Sequence, residues 1–258
     1  MQHGICHLSI IPVRSDKSHR SEQVSQLLFG ESFEVIDKSG DFLKIITSHD
    51  QYQGFIQQSQ SLPLSLTDYN ELRGGEQALC FDLVQLLVNK QQITSIVLGS
   101  LLPWFNSRSC RMGDQEFSFE GHSKCPDQSK ATGKSIVENA YMYLNAPYLW
   151  GGRSPFGIDC SGLSQMAFRL SGINIKRDAW MQAESGENVH LLDESQEGDL
   201  AFFDNEEGRI THVGIMVSKN RIIHASGQVR IDAIDHQGIF NLDTKKYSHR
   251  LRLIKRMI

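Results

Sequence analysis

Cys160, His212 and His224 are the side chains whose type and setting most plainly allow chemistry. Cys160 closes an aromatic, glycine-rich stretch at the predicted start of a helix. That stretch reads Pro147-Tyr148-Leu149-Trp150-Gly151-Gly152, then Gly157-Ile158-Asp159-Cys160-Ser161-Gly162-Leu163. A free thiol, with a pKa of about 8.5, is mostly protonated at neutral pH, and the thiolate is the nucleophile. Two features are expected to lower that pKa here. A helix N-terminus favours an anion on its first turn, and an imidazole within reach would form an imidazolium–thiolate pair. His212 opens the apolar run Val213-Gly214-Ile215-Met216-Val217, and a polar residue at the end of such a strand faces a rim. After the turn Ser218-Lys219-Asn220, His224 follows Ile222-Ile223 on the next strand. Antiparallel strands joined by so tight a turn bring the two rings together, so that His224 accepts from His212 and fixes its ring and tautomer. A cysteine at a helix start is more often a small buried residue, and a histidine on an apolar strand a satisfied core residue. The conjunction of all three with a glycine-rich approach favours a cysteine nucleophile.

The elements that must position them follow from the patterning. Thr132 is a plausible N-cap for a helix over 133–144, with Ile136, Val137, Ala140 and Leu144 on one face. A second helix runs over 159–170 and is ended by Ser171-Gly172. Strands are expected at 199–203, 212–217, 221–225, 229–233 and 250–254. Helices first and an antiparallel sheet after them is an α+β order. Ahead of this lie five short β-type runs, at 8–13, 26–29, 32–36, 42–46 and 52–56, with a hairpin turn at Ser39-Gly40-Asp41. They suggest a small barrel over 1–60. Residues 61–124 read as a second small β module, with strands at 93–98, 99–104 and 116–119, while 79–88 suits either a helix or strands. The polar stretch 123–129, with Pro126, marks the boundary to a third domain over 125–258.

Composition excludes several classes. A net charge of −4 over 258 residues gives no basic footprint for nucleic acid and no polybasic membrane patch. No apolar run approaches the roughly 20 residues that cross a bilayer. Residues 1–14 lack the pattern of a signal peptide, so a cytoplasmic protein is expected. The five cysteines, Cys6, Cys80, Cys110, Cys125 and Cys160, are odd in number and scattered, which argues against a disulfide framework. His3 with Cys6 and His7, or Cys110 with His122 and Cys125, are the best metal groups, and neither has four ligands at zinc spacing. No metal or cofactor is expected, and the chain reads as a monomer. Ala131-Thr132-Gly133-Lys134-Ser135 imitates the end of a phosphate-binding loop, but Gln128 stands where that loop needs glycine. Phe117 and Phe119 read as barrel core, and Glu206 and Glu207 as solvent-facing turn residues.

From 131 to 258 the sequence resembles the NlpC-type family of papain-like cell-wall peptidases. The resemblance lies in Tyr148-Leu149-Trp150-Gly151-Gly152, Asp159-Cys160-Ser161-Gly162-Leu163, Arg177-Asp178, Gly198-Asp199-Leu200-Ala201-Phe202-Phe203, His212-Val213-Gly214 and Ile223-His224-Ala225-Ser226. These occur in the family's order and spacing over half the chain. The first stretch resembles bacterial SH3-like modules in Ser21-Glu22, Leu28-Phe29-Gly30-Glu31 and Tyr52-Gln53-Gly54-Phe55-Ile56, and the second more loosely in Gly99-Ser100-Leu101-Leu102-Pro103. The implied fold is a papain-like α+β catalytic domain, helices packed on an antiparallel sheet, preceded by one or two SH3-like barrels.

The resemblance implies a role for each matching residue. Cys160 would be the nucleophile, His212 the general base and acid, and His224 the orienting third member. The Cys160 N–H and the Tyr148 hydroxyl would hold the oxyanion. Gly151 and Gly152 would let the loop pass close to substrate. The arrangement looks like the dipeptidyl branch, which cleaves γ-D-glutamyl to diamino acid bonds in peptidoglycan peptides bearing a free N-terminal L-Ala. Asp178 matches the position that binds the ammonium, with Asp159 and Ser161 assisting and Trp150 lining the pocket. Glu22 and Tyr52 are candidates from the first barrel. A non-catalytic wall-peptide binder and an acyltransferase using the same thiol are the alternatives, and intact Cys160, His212 and His224 weigh against the first.

Overall fold

Asp159 starts the helix that carries Cys160. In the computed structural model, which describes residues 2–258, Asp159 Oδ1 accepts from the Gly162 N–H at 2.7 Å, and the helix runs Cys160–Arg169. A side-chain oxygen at this position satisfies one of the N–H groups that a first turn leaves unpaired. Every residue of the helix is buried, its polar ones included. Ser164 Oγ donates to Gln182 Oε1 at 2.7 Å, and Gln165 Nε2 to the Ile175 carbonyl at 3.2 Å. The helix ends where Gly172 turns left-handed at φ +83°, a conformation that glycine adopts without strain.

A second helix, Gly133–Tyr141, is capped by a reciprocal pair of bonds between Thr132 and Ser135. It stops one turn before the expected Leu144. Met142, Tyr143 and Leu144 each donate to the carbonyl three residues back, and Asn145 then turns to φ +67°. The last turn tightens instead of continuing. Both helices pack against the Ile210–Ser218 strand, which carries His212.

That strand belongs to a seven-stranded antiparallel sheet. Its order is Glu187–Val189, Lys246–Arg256, Leu200–Asp204, Ile210–Ser218, Arg221–Ser226, Gln228–Asp235 and Gly238–Asn241. The long strand Lys246–Arg256 also pairs with Gly238–Asn241, so six of the strands close into a ring. Ala201, Phe203, Met216, Ile222, Ile234, Ile239 and Ile254 form one buried cluster from its strands. The order of helices then sheet is the α+β order expected, but the sheet is closed. Gly238 sits at the seam with φ +140°, and a Cβ there would lie 1.8 Å from the His249 carbonyl oxygen. Only glycine allows that approach.

The chain divides into two compact units, the first ending at Pro126 and the second spanning Asp127–Ile258. In the first, seven strands pair in the order Gln23–Leu28, Ile10–Arg14, Gln53–Gln57, Phe42–Thr47, Ser32–Ser39, Gln2–Cys6 and Ser61–Leu64. They wrap a core of Cys6, Ile11, Val13, Leu27, Phe33, Leu43, Ile45 and Ile56. The five expected runs are present, with Gln2–Cys6 and Ser61–Leu64 added. Residues 79–88 are strands, Leu79–Cys80 and Val84–Val88. The latter joins a four-stranded sheet with Ile93–Val97, Gln115–Phe119 and Ser109–Met112. The stretch 99–104 turns instead, through Gly99 at φ +82° and Trp104 at φ +49°. A helix, Leu66–Gly74, was not expected there; Ser65 caps it and only Tyr69 and Leu72 are buried. Among the described residues no helix is long and apolar enough to cross a membrane.

Candidate active site

Cys160 occupies the first position of its helix and is buried. The backbone N–H groups of Val213 and Ser161 lie near its Sγ and favour the anion. Val213 follows His212 in sequence, so the thiol lies against the strand that bears the imidazole. Burial, with the Asp159 carboxylate adding to it, pushes the Cys160 thiol up to about 12. The two N–H groups and Arg177 oppose that shift and are outweighed. The expected depression of the thiol pKa is therefore reversed at rest, because desolvation of the anion exceeds what the helix terminus supplies. His212 is held well below its ordinary value by burial, and by His249 and His224 beside it. At neutral pH the pair is thiol and imidazole, both uncharged.

The His212 ring is held by a chain of buried groups. His212 Nε2 and His224 Nδ1 lie 2.9 Å apart, and His224 Nε2 lies 3.0 Å from Asp232 Oδ2. Arg230 Nη2 donates to Asp232 Oδ1 at 2.9 Å and to Asp243 Oδ2 at 2.7 Å. Burial works against the Asp232 charge, but the bonds from His224 and Arg230 outweigh it and keep the carboxyl below the usual range. In register His224 pairs with Gly214, so it stands diagonally from His212. The pairing needs glycine: a Cβ on Gly214 would sit 2.6 Å from Ile222 Cδ1 and 3.0 Å from His224 Cβ. A third histidine, His249, stacks on His212 with centroids 4.0 Å apart and planes 20° from parallel.

Ligand atoms of His212, His224 and His249 lie within 4.8 Å of one another, a spacing a metal could use. Among the described residues this trio is the group the fold assembles, and the His3 and Cys110 groups are not. The His212–His224 contact is already a hydrogen bond, and the stacked His249 plane does not point its lone pairs at the same place as His212. The arrangement suits proton handling better than coordination.

The remaining expected residues divide into two groups. Asp159 and Ser161 turn inward. Arg177 donates to Asp159 Oδ1 at 3.0 Å, to Asp159 Oδ2 at 2.7 Å and to Ser161 Oγ at 2.8 Å. Asp159 Oδ2 also accepts from the Gly151 N–H at 2.8 Å. Their polar atoms hold loop and helix together. The tight backbone of the loop likewise faces protein: a Cβ on Gly152 would meet the Gly157 oxygen at 2.3 Å, and one on Gly162 the Gly152 oxygen at 2.3 Å. Tyr148 is half-buried and its phenol is pushed up to about 12 by burial, then by the charges of Cys160 and Asp159, so it stays a donor. Trp150 is exposed at the loop. Asp178 precedes the short helix Ala179–Gln182, and its side chain does not cap it. The buried Gln182 ties that segment to the Cys160 helix, through the Ser161 carbonyl at 3.0 Å.

Residues 145–248 match the NlpC/P60 family, and residues 13–60 match the bacterial dipeptidyl-peptidase Sh3 domain. The chain carries an NlpC/P60 domain. Its second unit holds that family's cysteine-type hydrolase domain, and its first holds an SH3-like barrel. Over 100 residues it is 44% identical to the gamma-D-glutamyl-L-lysine dipeptidyl-peptidase of Bacillus subtilis (strain 168), covering 38% of this chain and 33% of that protein. Over 248 residues it is 27% identical to dipeptidyl-peptidase 6 of Lysinibacillus sphaericus, covering 84% and 86%. The chain thus spans a third of the length of the former and most of the latter. The crystal structure of an NlpC/P60 family protein from Bacillus cereus ATCC 10987 shares the fold, with a TM-score of 0.82 at 19% identity over 99% of both chains.

Within the SH3-like barrel, Glu22 is exposed just before the Gln23–Leu28 strand. Tyr52 is half-buried before Gln53–Gln57, with its N–H donating to Thr47 Oγ1 at 2.8 Å. In the NlpC/P60 domain, sequence reasoning passed over Asp232, His249 and the anchoring role of Arg177. One signal was available: the half-buried positions of Lys246–Arg256 alternate as His249, Leu251 and Leu253, so the inward face of that strand begins at His249.

Proposed function

We propose that the protein is a cysteine endopeptidase that hydrolyses the γ-D-glutamyl to L-diamino acid bond of peptidoglycan stem peptides. It takes peptides with a free N-terminal L-Ala, releases L-Ala-γ-D-Glu, and works as a monomer in the recycling of wall peptides inside the cell. The observation that carries the reading is a buried thiol packed against the His212 strand, with His212 bonded to His224. The dipeptidyl-peptidase names of the B. subtilis and L. sphaericus relatives support this class.

In this mechanism Cys160 Sγ attacks the γ-carbonyl carbon while its proton passes to His212. Because the resting pair is uncharged, the proton moves as the C–S bond forms. The oxyanion is held by the Cys160 N–H and the Tyr148 hydroxyl. His212 then gives its proton to the departing amine, the C–N bond breaks, and a thioester remains on Cys160. Water, deprotonated by His212, attacks the thioester, and the returning thiol takes the proton back. Asp178 is the residue for the substrate ammonium, held in place by the Arg177 and Gln182 anchors. An N-acylated peptide has no ammonium to offer Asp178 and should bind more weakly. Such a gate would spare intact wall precursors in the same compartment.

The test is incubation with L-Ala-γ-D-Glu-L-Lys, its meso-diaminopimelate counterpart, and the N-acetylated form of each. Release of L-Ala-γ-D-Glu from the free-amine peptides only is expected. Equal cleavage of the acetylated forms would overturn the amine requirement, and cleavage of none would overturn the substrate.

A further inference from the structure

Asp232 is a buried acid, 2% exposed, that the reaction as written does not use. It lies on Gln228–Asp235, two residues from Arg230, which pairs across the sheet with His224. We infer that Asp232 is a positioning residue that sets the tautomer of the catalytic imidazole through His224. The inference rests on His212 acting as the base.

An ionised carboxylate only accepts hydrogen bonds, so His224 Nε2, 3.0 Å away, is the donor. A neutral imidazole carries one N–H, which leaves His224 Nδ1 with a lone pair. His212 Nε2, 2.9 Å from that lone pair, must then carry the hydrogen. His212 Nδ1 is left bare, the nitrogen able to take the thiol proton. His224 is 1% exposed and His212 6%, so water does not compete for these contacts. Asp232 fixes which nitrogen is the base from two residues away.

Arg230 biases the arrangement. It has donors only, and its hydrogen bond runs from Nη2 to Asp232 Oδ1 at 2.9 Å, while its Nε stands 2.7 Å from Oδ2, the oxygen that faces His224. In Asp232→Asn, the amide oxygen that keeps the Nη2 hydrogen bond at the Oδ1 position leaves the amide NH2 at the Oδ2 position, toward His224. His224 Nε2 must then accept, its Nδ1 becomes the donor, and His212 Nδ1 receives the hydrogen. The base is blocked. Asp232→Ala imposes no such reversal and only loosens the rings.

Two readouts test this on the full-length protein labelled with 15N-histidine. Ring nitrogen shifts in the wild type should report Nε2–H tautomers for both His212 and His224, and the Asn variant should report Nδ1–H. The rate of iodoacetamide alkylation at Cys160, followed by mass spectrometry of its peptide, should fall on the order of 100-fold in Asp232→Asn and about tenfold in Asp232→Ala, since the reversed tautomer removes the base outright. Adding Arg230→Met to Asp232→Asn frees the amide to rotate and should recover part of the loss. A merely structural Asp232 would make Ala at least as damaging as Asn. That order, or a wild-type spectrum with hydrogen on His224 Nδ1, would overturn the inference. Both readouts need no substrate, so failure of the proposed peptide specificity leaves them standing, and the wild-type spectrum decides even if a variant does not fold.

Discussion

Arg177 grips Asp159 through two bonds of 3.0 and 2.7 Å inside the protein. The same carboxylate caps the Cys160 helix and holds the Gly151 N–H. One acid thus ties the nucleophile's helix, the aromatic loop and the segment leading to Asp178. Replacing Arg177 by Met leaves a buried carboxylate without its cation, a loss of about 3–5 kcal/mol. Arg177→Lys keeps the charge but not the two-pronged geometry and is expected to fall between. Thermal unfolding of the two variants checks the order, which fails if Met is as stable as wild type.

The resting thiol is expected to be neutral. With Cys160 pushed up to about 12 and His212 held well below its ordinary value, no imidazolium–thiolate pair forms at pH 7. Thiolate absorbance in the ultraviolet should therefore not differ between wild type and Cys160→Ala at that pH. A difference at neutral pH that disappears on acidification would show a preformed ion pair instead.

His249 predicts an acid-sensitive fold. Burial, with His224 beside it, lowers its pKa to about 4, and that of His212 also falls. The unfolded chain takes up these protons more readily, so stability is full above about pH 6.5 and is lost as pH falls toward 4. His249→Phe keeps a flat ring on His212 and removes one of these sites. Its melting temperature should drop less than that of wild type between pH 7 and pH 4.5. An equal drop in both would refute the assignment.

How legible this was depends on the range of the forces involved. The Cys160 helix was readable because Asp159 and Gly172 mark its ends locally. The His212 and His224 strands were readable from apolar runs. His249 carries little local signal, because residues 246–248 ahead of it are exposed and polar and the apolar alternation starts only at Leu251. Asp232 looked like an ordinary alternating polar residue, and only the cross-strand pairing brings it to His224. The Leu66–Gly74 helix buries too little to leave a period. The direction of the thiol shift depends on burial by distant elements, which no local motif encodes.

Closure of the barrel is expected to hinge on Gly238. A Cβ there would collide with the His249 carbonyl and would force a non-glycine into φ +140°. Gly238→Ala should destabilise by about 1–3 kcal/mol from backbone strain alone and displace His249 from His212. Denaturant unfolding, with the His249 ring signals as a second reading, checks it; wild-type values for both would contradict the closed seam.

The claim that Cys160 is the nucleophile of a peptidase is tested most directly by release of L-Ala-γ-D-Glu from L-Ala-γ-D-Glu-L-Lys. Wild type should release it, and Cys160→Ala should lose kcat by on the order of 10⁴-fold or more while still binding the peptide. Full release by Cys160→Ala would contradict the account.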